Sequence, residues 1–157
     1  MTERSCGSCT ACCEGWLTSK YIDMKPGKPC KHCTAQGCAI YPERPEQPCV
    51  TFKCAWLNQE IAMPDSMRPD RCGAIVMTGR KWRRVNVVMV APTGPEVPEE
   101  TLEWLKAHAR ETKMPLMFRE NLMRDGAYVG IRQLGYGPRW FVEAVKNLIG
   151  PEDVFTI

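Results

Sequence analysis

The chain has 157 residues and a mass of 17.8 kDa, a length that suits one domain or one domain with a small appendage. Apolar residues make up 44% and charged residues 25%, close to the average of soluble globular proteins, which excludes wholesale disorder. The net charge of +3 permits an anionic partner without requiring one. No apolar run reaches the ~18–20 residues of a membrane-spanning helix, and the first residues do not resemble a secretory signal, so we expect a cytoplasmic protein.

The unusual feature of the composition is its ten cysteines, all of which lie between Cys6 and Cys72. Thiols stay reduced in the cytoplasm, where clustered cysteines are more often metal ligands than disulfides. We therefore predict a cysteine-cluster metal-binding region over residues 1–72 and an α+β portion over residues 73–157, packed together as one compact unit. Repeated prolines in the first region favour turns, so a metal core is expected to stabilise it.

The predicted fold class is α+β, with a loop-rich cysteine region packed on β-hairpins and two helices. In the first region, apolar spacing predicts one short helix over residues 51–62. In the second region, short apolar segments predict strands over 74–78 and 84–91, joined across Gly79. A helix over 98–111 and a strand over 115–118 follow. Strands over 121–124 and 127–131 flank an Asp125-Gly126 turn, and the last helix covers 138–149 and stops at Gly150-Pro151.

The first cysteine cluster, C-x-x-C-x-x-C-C, contains Cys6, Cys9, Cys12 and Cys13. Two thiolates separated by two residues can reach one metal across a single turn, as in zinc knuckles and iron–sulfur sites. Vicinal side chains point apart, so Cys12 and Cys13 are expected to serve two metals, or one of them is spare. The cluster therefore favours a polynuclear site.

Five further cysteines follow before Cys72, namely Cys30, Cys33, Cys38, Cys49 and Cys54. Two ions with four ligands each need eight thiolates, so one or two of the cysteines are surplus. Cys72, isolated after Pro69, is the first candidate for a surplus thiol. The irregular spacing of the second set argues against an ordinary zinc ribbon.

The whole pattern resembles a known family. The C-x-x-C-x-x-C-C run, the segment Cys38-Ala-Ile-Tyr41, the pair Arg44-Pro45 and the final Cys49, Phe52 and Cys54 are similar to the bacterial cysteine-cluster proteins of the YkgJ or CxxCxxCC family. That family is described as a zinc- or iron-chelating domain, and the larger flagellin lysine N-methylase carries a similar cluster. The resemblance covers about residues 4–72 and implies a ligand set of eight cysteines: Cys6, Cys9, Cys12, Cys13, Cys30, Cys38, Cys49 and Cys54.

The metal follows from the donor type. Thiolate-only sites suit both zinc and iron–sulfur clusters. The Cys-Pro ending of the ferredoxin pattern is missing, because Cys13 is followed by Glu14, and two zinc ions would use all eight thiolates, so zinc is slightly favoured. We expect a metal-binding protein with a structural, chelating or sensing role. The alternative is an iron–sulfur-dependent redox or protein-modifying enzyme; no familiar catalytic motif is present, so whether the protein is an enzyme stays open.

Other features have a simpler interpretation beside a functional one. Four positive charges surround Trp82 between Arg80 and Arg84, which suits a nucleic-acid-binding module but also a solvated hairpin tip. His32 is a candidate ligand inside the second set, whereas Arg44 is expected to act as a structural clamp. The expected partners are metal ions and a protein, with nucleic acid disfavoured and no membrane.

Overall fold

The computed structural model describes residues 3–147 and Ile157. Its strands are β1 (Cys33–Thr34), β2 (Gly37–Cys38), β3 (Ala74–Trp82), β4 (Val85–Pro92), β5 (Leu116–Arg124) and β6 (Ala127–Tyr136). Its α-helices are α1 (Ala55–Asn58), α2 (Pro69–Cys72), α3 (Glu99–Thr112) and α4 (Arg139–Lys146). Shorter helical turns occur at Cys12–Trp16, Tyr41–Glu43, Glu46–Val50 and Asp65–Met67. The α+β class and the loop-rich cysteine region are thereby confirmed.

The second region contains a four-stranded mixed sheet with the order β3-β4-β5-β6. The two outer pairs are antiparallel, whereas β4 and β5 are parallel, with Val88 opposite Leu116. Parallel neighbours need a long crossover connection, and α3 lies within the segment that joins these two strands. The sequence predicted the two hairpins but not the parallel pairing that joins them into one sheet.

The turn of the first hairpin is displaced from its predicted position. β3 runs past Gly79, where the register shifts, and the chain reverses at Arg83 and Arg84, both of which have positive φ. Trp82 explains the extension, because its buried ring packs edge-on against Phe141 at a centroid distance of 5.6 Å. The second hairpin turns at Asp125-Gly126 as predicted, and the strand predicted over 115–118 continues without a break to Arg124.

The helices agree with the sequence in the second region and differ in the first. The prediction over 98–111 corresponds to α3, and that over 138–149 to α4, whose predicted stop at Gly150-Pro151 lies outside the described residues. The helix predicted over 51–62 is wrong in extent. Cys54 is extended and Gln59 is left-handed, with φ of 58°, so only the single turn α1 remains between them.

One apolar core connects the two regions. Residues 74–77 of β3 and 87–92 of β4 are buried without alternation, as expected where both faces of a sheet are covered. Ala11, Leu17 and Trp56 of the first region belong to the same buried cluster as the sheet. The buried Arg119 of β5 donates a hydrogen bond to the carbonyl of Trp16. Among the described residues, no helix is long and apolar enough to cross a membrane.

Candidate metal centre

A cavity of about 690 Å³ lies among the loops of the first region. Eight cysteines line it, and they are the predicted ligand set: Cys6, Cys9, Cys12, Cys13, Cys30, Cys38, Cys49 and Cys54. All ten cysteines of the chain are free thiols. The rest of the lining combines apolar side chains such as Phe52 and Leu57 with the cationic groups of Lys28, Lys31 and Arg44.

A close backbone contact at Gly15 brings Cys13 and Cys30 together. Gly15 has φ of +94°, and a Cβ atom there would lie 2.0 Å from the carbonyl oxygen of Lys25. Only glycine fits this conformation and this approach. The turn that begins at Lys25 leads directly into Cys30, whose backbone N–H donates to the Cys13 carbonyl at 2.7 Å.

The β1–β2 hairpin is held against the first cysteine cluster in a similar way. A Cβ atom on Gly37, which has φ of +127°, would lie 2.6 Å from the carbonyl oxygen of Gly7. Gly7 belongs to the turn in which the Cys9 N–H donates to the Cys6 carbonyl at 2.9 Å. The glycine at position 37 therefore allows Cys38, the next residue, to lie beside the first cluster.

The last two lining cysteines come from the segment that leads into the core. Cys49 lies in the helical turn Glu46–Val50, and Cys54 directly precedes α1. Asn58, in α1, donates from Nδ2 to Thr78 Oγ1 of β3 at 3.2 Å. Hence one wall of the cavity is fixed to the sheet.

The pKa of Cys12 responds chiefly to burial and to three other thiols of the cavity. Burial raises the pKa of Cys12 well above its usual value, and negative charge at Cys54, Cys9 and Cys6 raises it further, with a smaller contribution from Cys13. Burial also raises the pKa of Cys54 to about 11. We refer to Cys6, Cys9, Cys12 and Cys54 as the first thiol group.

Cys13 has different neighbours. Burial raises its pKa, as do a hydrogen bond with the Cys33 thiol and negative charge at Cys33, Cys30 and Cys38. Burial, followed by the charges of Cys30 and Cys38 and more weakly that of Cys6, likewise raises the pKa of Cys49. We refer to Cys13, Cys30, Cys38 and Cys49 as the second thiol group, with Cys33 beside it.

Each thiol group has a nearby arginine. Burial raises the pKa of Cys9 in the first group, and the positive charge of Arg68 opposes this shift. Arg44 has the same effect on Cys49 in the second group. Arg44 is held by a hydrogen bond from Nη1 to the Tyr41 carbonyl at 2.8 Å and lies 3.9 Å from the centroid of the Tyr41 ring. Arg44 therefore favours a thiolate at Cys49, whereas the effect of Arg68 on Cys9 is opposed by the larger effect of the Asp70 carboxylate.

Several other residues singled out in the sequence lie in defined places. His32 and Tyr41 line the cavity. Cys72 is buried outside it, and its thiol donates to the carbonyls of Met67 and Ala74 at 3.4 and 3.3 Å. His108 is remote from the thiols and stacks on Trp104 in α3, with ring centroids 5.8 Å apart.

The basic hairpin lacks the accessible aromatic ring that base stacking needs. Trp82 is only 2% exposed, so its ring belongs to the core rather than to the surface. Arg83 covers the same ring, with its guanidinium carbon 4.7 Å from the centroid. The hairpin therefore offers an anionic partner only positive charge, which a solvated hairpin tip also has.

The cavity brings the thiols together without arranging them around an ion. Within residues 3–147 and Ile157, no group of three or more His, Cys, Asp or Glu side chains is positioned to hold a metal ion. The donor chemistry nevertheless fits soft metals, because thiolates are the ligands that zinc, copper(I) and iron–sulfur clusters prefer. Trp56 is one of several lining residues that the sequence analysis did not single out.

Comparisons of the chain with protein-family models, with curated proteins and with solved structures found no match. The chemistry of the site is therefore inferred from its own donor set, its burial and its charges.

Proposed function

We propose that the protein binds metal through the eight cysteine thiolates that line the cavity, with one metal centre in each thiol group. The observation that carries this proposal is the lining itself: eight thiols from five separate loop segments face one cavity. Among the described cysteines, Cys33 and Cys72 are the two that do not line it.

The vicinal pair supports two centres rather than one. Among the thiols, Cys54 and Cys9 act most strongly on the pKa of Cys12, whereas Cys33 and Cys30 act most strongly on the pKa of Cys13. Adjacent side chains that point apart can serve separate ions without strain, which is the arrangement that the sequence predicted as one of two alternatives. Eight thiolates are the complete ligand sets of two four-coordinate ions.

Metal binding would draw the thiols of each group together. Side chains in loops can change rotamer, and the binding free energy of a structural metal is available to order them, since such sites rarely exist preformed. A tetrahedral ion with four protein thiolates has no open position for a substrate. The proposed role is accordingly structural, chelating or sensing, rather than catalysis at the metal.

Zinc is the favoured metal, because two tetrahedral ions use the eight lining thiolates completely. An iron–sulfur protein with a redox or protein-modifying role is the second candidate, and the cavity volume of about 690 Å³ favours it. Two bare ions occupy little of that space, whereas a cluster brings inorganic sulfide as well as iron. Colour separates the two, since four-thiolate zinc absorbs no visible light.

The deciding experiment is the metal and acid-labile sulfide content of untagged protein purified without air, with its visible spectrum. We expect about two zinc ions per chain, as eight thiolates predict, with no sulfide and no colour. Iron with matching sulfide and a brown colour would replace the zinc proposal with the iron–sulfur one. The Cys72→Ser variant is the matched control, because it removes a buried thiol outside the cavity; a protein free of metal after anaerobic purification and zinc addition would refute both candidates.

A further inference from the structure

Trp56 has a buried N–H group without an acceptor. Its side chain is 7% exposed, and its Nε1 atom has no hydrogen-bond partner among the described residues. Leaving such a donor unpaired costs about 1–3 kcal/mol, and native proteins rarely do so. Trp56 also lines the thiol cavity, so an acceptor in that cavity would remove this cost.

The neighbourhood of Trp56 fixes the ring in place. Arg4 donates from Nη1 to the Trp56 carbonyl at 2.8 Å, and its guanidinium carbon lies 4.5 Å from the centre of the indole ring. Cys54 is two residues earlier, and the backbone N–H groups of Leu57 and Trp56 form hydrogen bonds that lower the pKa of its thiol, against the larger effect of burial. Trp56 thus lies in the cavity wall next to Cys54 of the first thiol group.

Arg44 repeats the pattern beside the second thiol group. Its Nε atom is buried and, within the described part of the chain, unpaired, although Nη1 is bonded to the Tyr41 carbonyl. Its positive charge acts on Cys49. Two residues of the cavity wall therefore each carry a buried N–H donor without an acceptor among the described residues.

We infer that the Trp56 indole N–H and the Arg44 Nε–H donate hydrogen bonds to metal-bound thiolates, Trp56 to the first thiol group and Arg44 to the second. The inference rests on the proposed function, because the acceptors of these hydrogen bonds are the metal-bound thiolates. Four thiolates around a divalent ion carry net negative charge, which N–H donors stabilise. Hydrogen bonds of this kind tune metal affinity and the potential of iron–sulfur clusters.

The test uses cobalt(II) as a coloured probe of four-thiolate sites, added to the zinc-free full chain without air. The variant Trp56→Phe keeps an aromatic ring and removes the N–H group. We expect it to bind one of two cobalt ions about 10- to 100-fold more weakly, the usual effect of losing an outer-shell partner. Its sulfur-to-cobalt charge-transfer band should move to lower energy, because a thiolate without a donor gives up its electrons more readily.

One control variant and one further test variant make the result specific. Trp104→Phe changes a tryptophan in α3 that does not line the thiol cavity, and it should bind cobalt as the wild type does. Arg44→Lys removes Nε while keeping the charge, and it should weaken the other ion, so that the double variant Trp56→Phe/Arg44→Lys weakens both. Wild-type affinities and an unshifted band in Trp56→Phe would overturn the inference while leaving the proposed function intact.

A measurement on the unaltered chain covers the case in which a variant fails to fold. In ¹⁵N-labelled wild-type protein, the Trp56 indole proton should exchange with solvent more slowly after zinc is added, relative to the Trp104 indole proton. An exchange rate that does not change on zinc loading overturns the inference. A wild-type chain that takes up neither zinc nor cobalt overturns the proposed function and this inference with it.

Discussion

Cys33 and Cys38 lie directly opposite each other on the β1–β2 hairpin, yet of these two described residues only Cys38 lines the thiol cavity. Opposed residues of an antiparallel pair are close neighbours. The Cys33 thiol is instead hydrogen-bonded to that of Cys13. The hairpin therefore offers two chemically identical side chains in almost the same place, of which one is a proposed ligand.

This pair gives a matched test of the ligand set. Cys38→Ser should lose one of about two zinc ions per chain, because the serine hydroxyl that replaces the thiol is a poor zinc ligand. Cys33→Ser should keep both ions. Zinc is measured by elemental analysis after gel filtration, with Cys33→Ser/Cys38→Ser included to exclude substitution of one thiol for the other. If Cys33→Ser loses an ion and Cys38→Ser keeps both, Cys33 belongs to the ligand set and Cys38 does not.

The vicinal cysteines allow the two centres to be counted separately. Cys12→Ser and Cys13→Ser should each lose one ion, since the two thiols belong to different groups. Cys9→Ser/Cys12→Ser, with both changes in the first thiol group, should still hold one ion, whereas Cys12→Ser/Cys13→Ser should hold none. Zinc content per chain distinguishes these cases. Loss of all metal from every single variant would indicate one polynuclear centre shared by all eight thiolates.

The sequence predicts the cysteines of this site but not the role of Trp56. The spacing and the resemblance together select eight cysteines, and the same eight line the cavity, because short turns and close glycine contacts bring them together. The unpaired indole N–H of Trp56 cannot be read from the sequence. Its burial depends on how Arg4 and the rest of the tertiary structure pack around the ring. Metal-ligand patterns are local in the chain, whereas hydrogen-bond satisfaction is decided by the tertiary structure.

The sheet shows the same division. Short apolar runs bounded by turn residues predict the strands of the first hairpin, because a run of this kind fits a strand whose two faces are both buried. This pattern carries no information on which hairpin lies beside which, so the parallel register of Val88 with Leu116 was missed. The turn was predicted at Gly79, which does have a positive φ of 68° but lies within β3, and the chain reverses at Arg83 and Arg84 instead, so that Trp82 reaches the core.

Cys54 and Cys72 compare a proposed ligand with a surplus thiol in equally buried surroundings. Cys54→Ser should lose an ion and lower the thermal unfolding midpoint, because metal binding and folding are coupled in such a region. Cys72→Ser should keep both ions and cost less than about 1 kcal/mol, since a serine hydroxyl can also donate to the carbonyls of Met67 or Ala74. Zinc content and unfolding followed by circular dichroism check both. The ligand assignment is wrong if Cys72→Ser releases an ion and Cys54→Ser does not.

Gly15 tests the backbone contact that brings Cys13 to Cys30. Gly15→Ala should lower the free energy of unfolding by about 3 kcal/mol or more, because the strain of positive φ adds to a collision of Cβ with the Lys25 carbonyl 2.0 Å away. Gly27→Ala is the matched control: Gly27 has φ of +86° with nothing within 4 Å, so strain alone should cost about 1 kcal/mol.

Urea denaturation of the zinc-loaded variants gives the free energy of unfolding of each. Competition with a chelator gives the affinity for the ion that we propose in the second thiol group. Displacing the Lys25 turn also displaces Cys30, whose N–H donates to the Cys13 carbonyl at 2.7 Å, so Gly15→Ala should bind that ion more weakly than Gly27→Ala does. Equal stability and equal affinity in the two variants would show that the approach of Gly15 to Lys25 does not hold the second thiol group together. The loops around Cys13 and Cys30 would then depend on the metal alone.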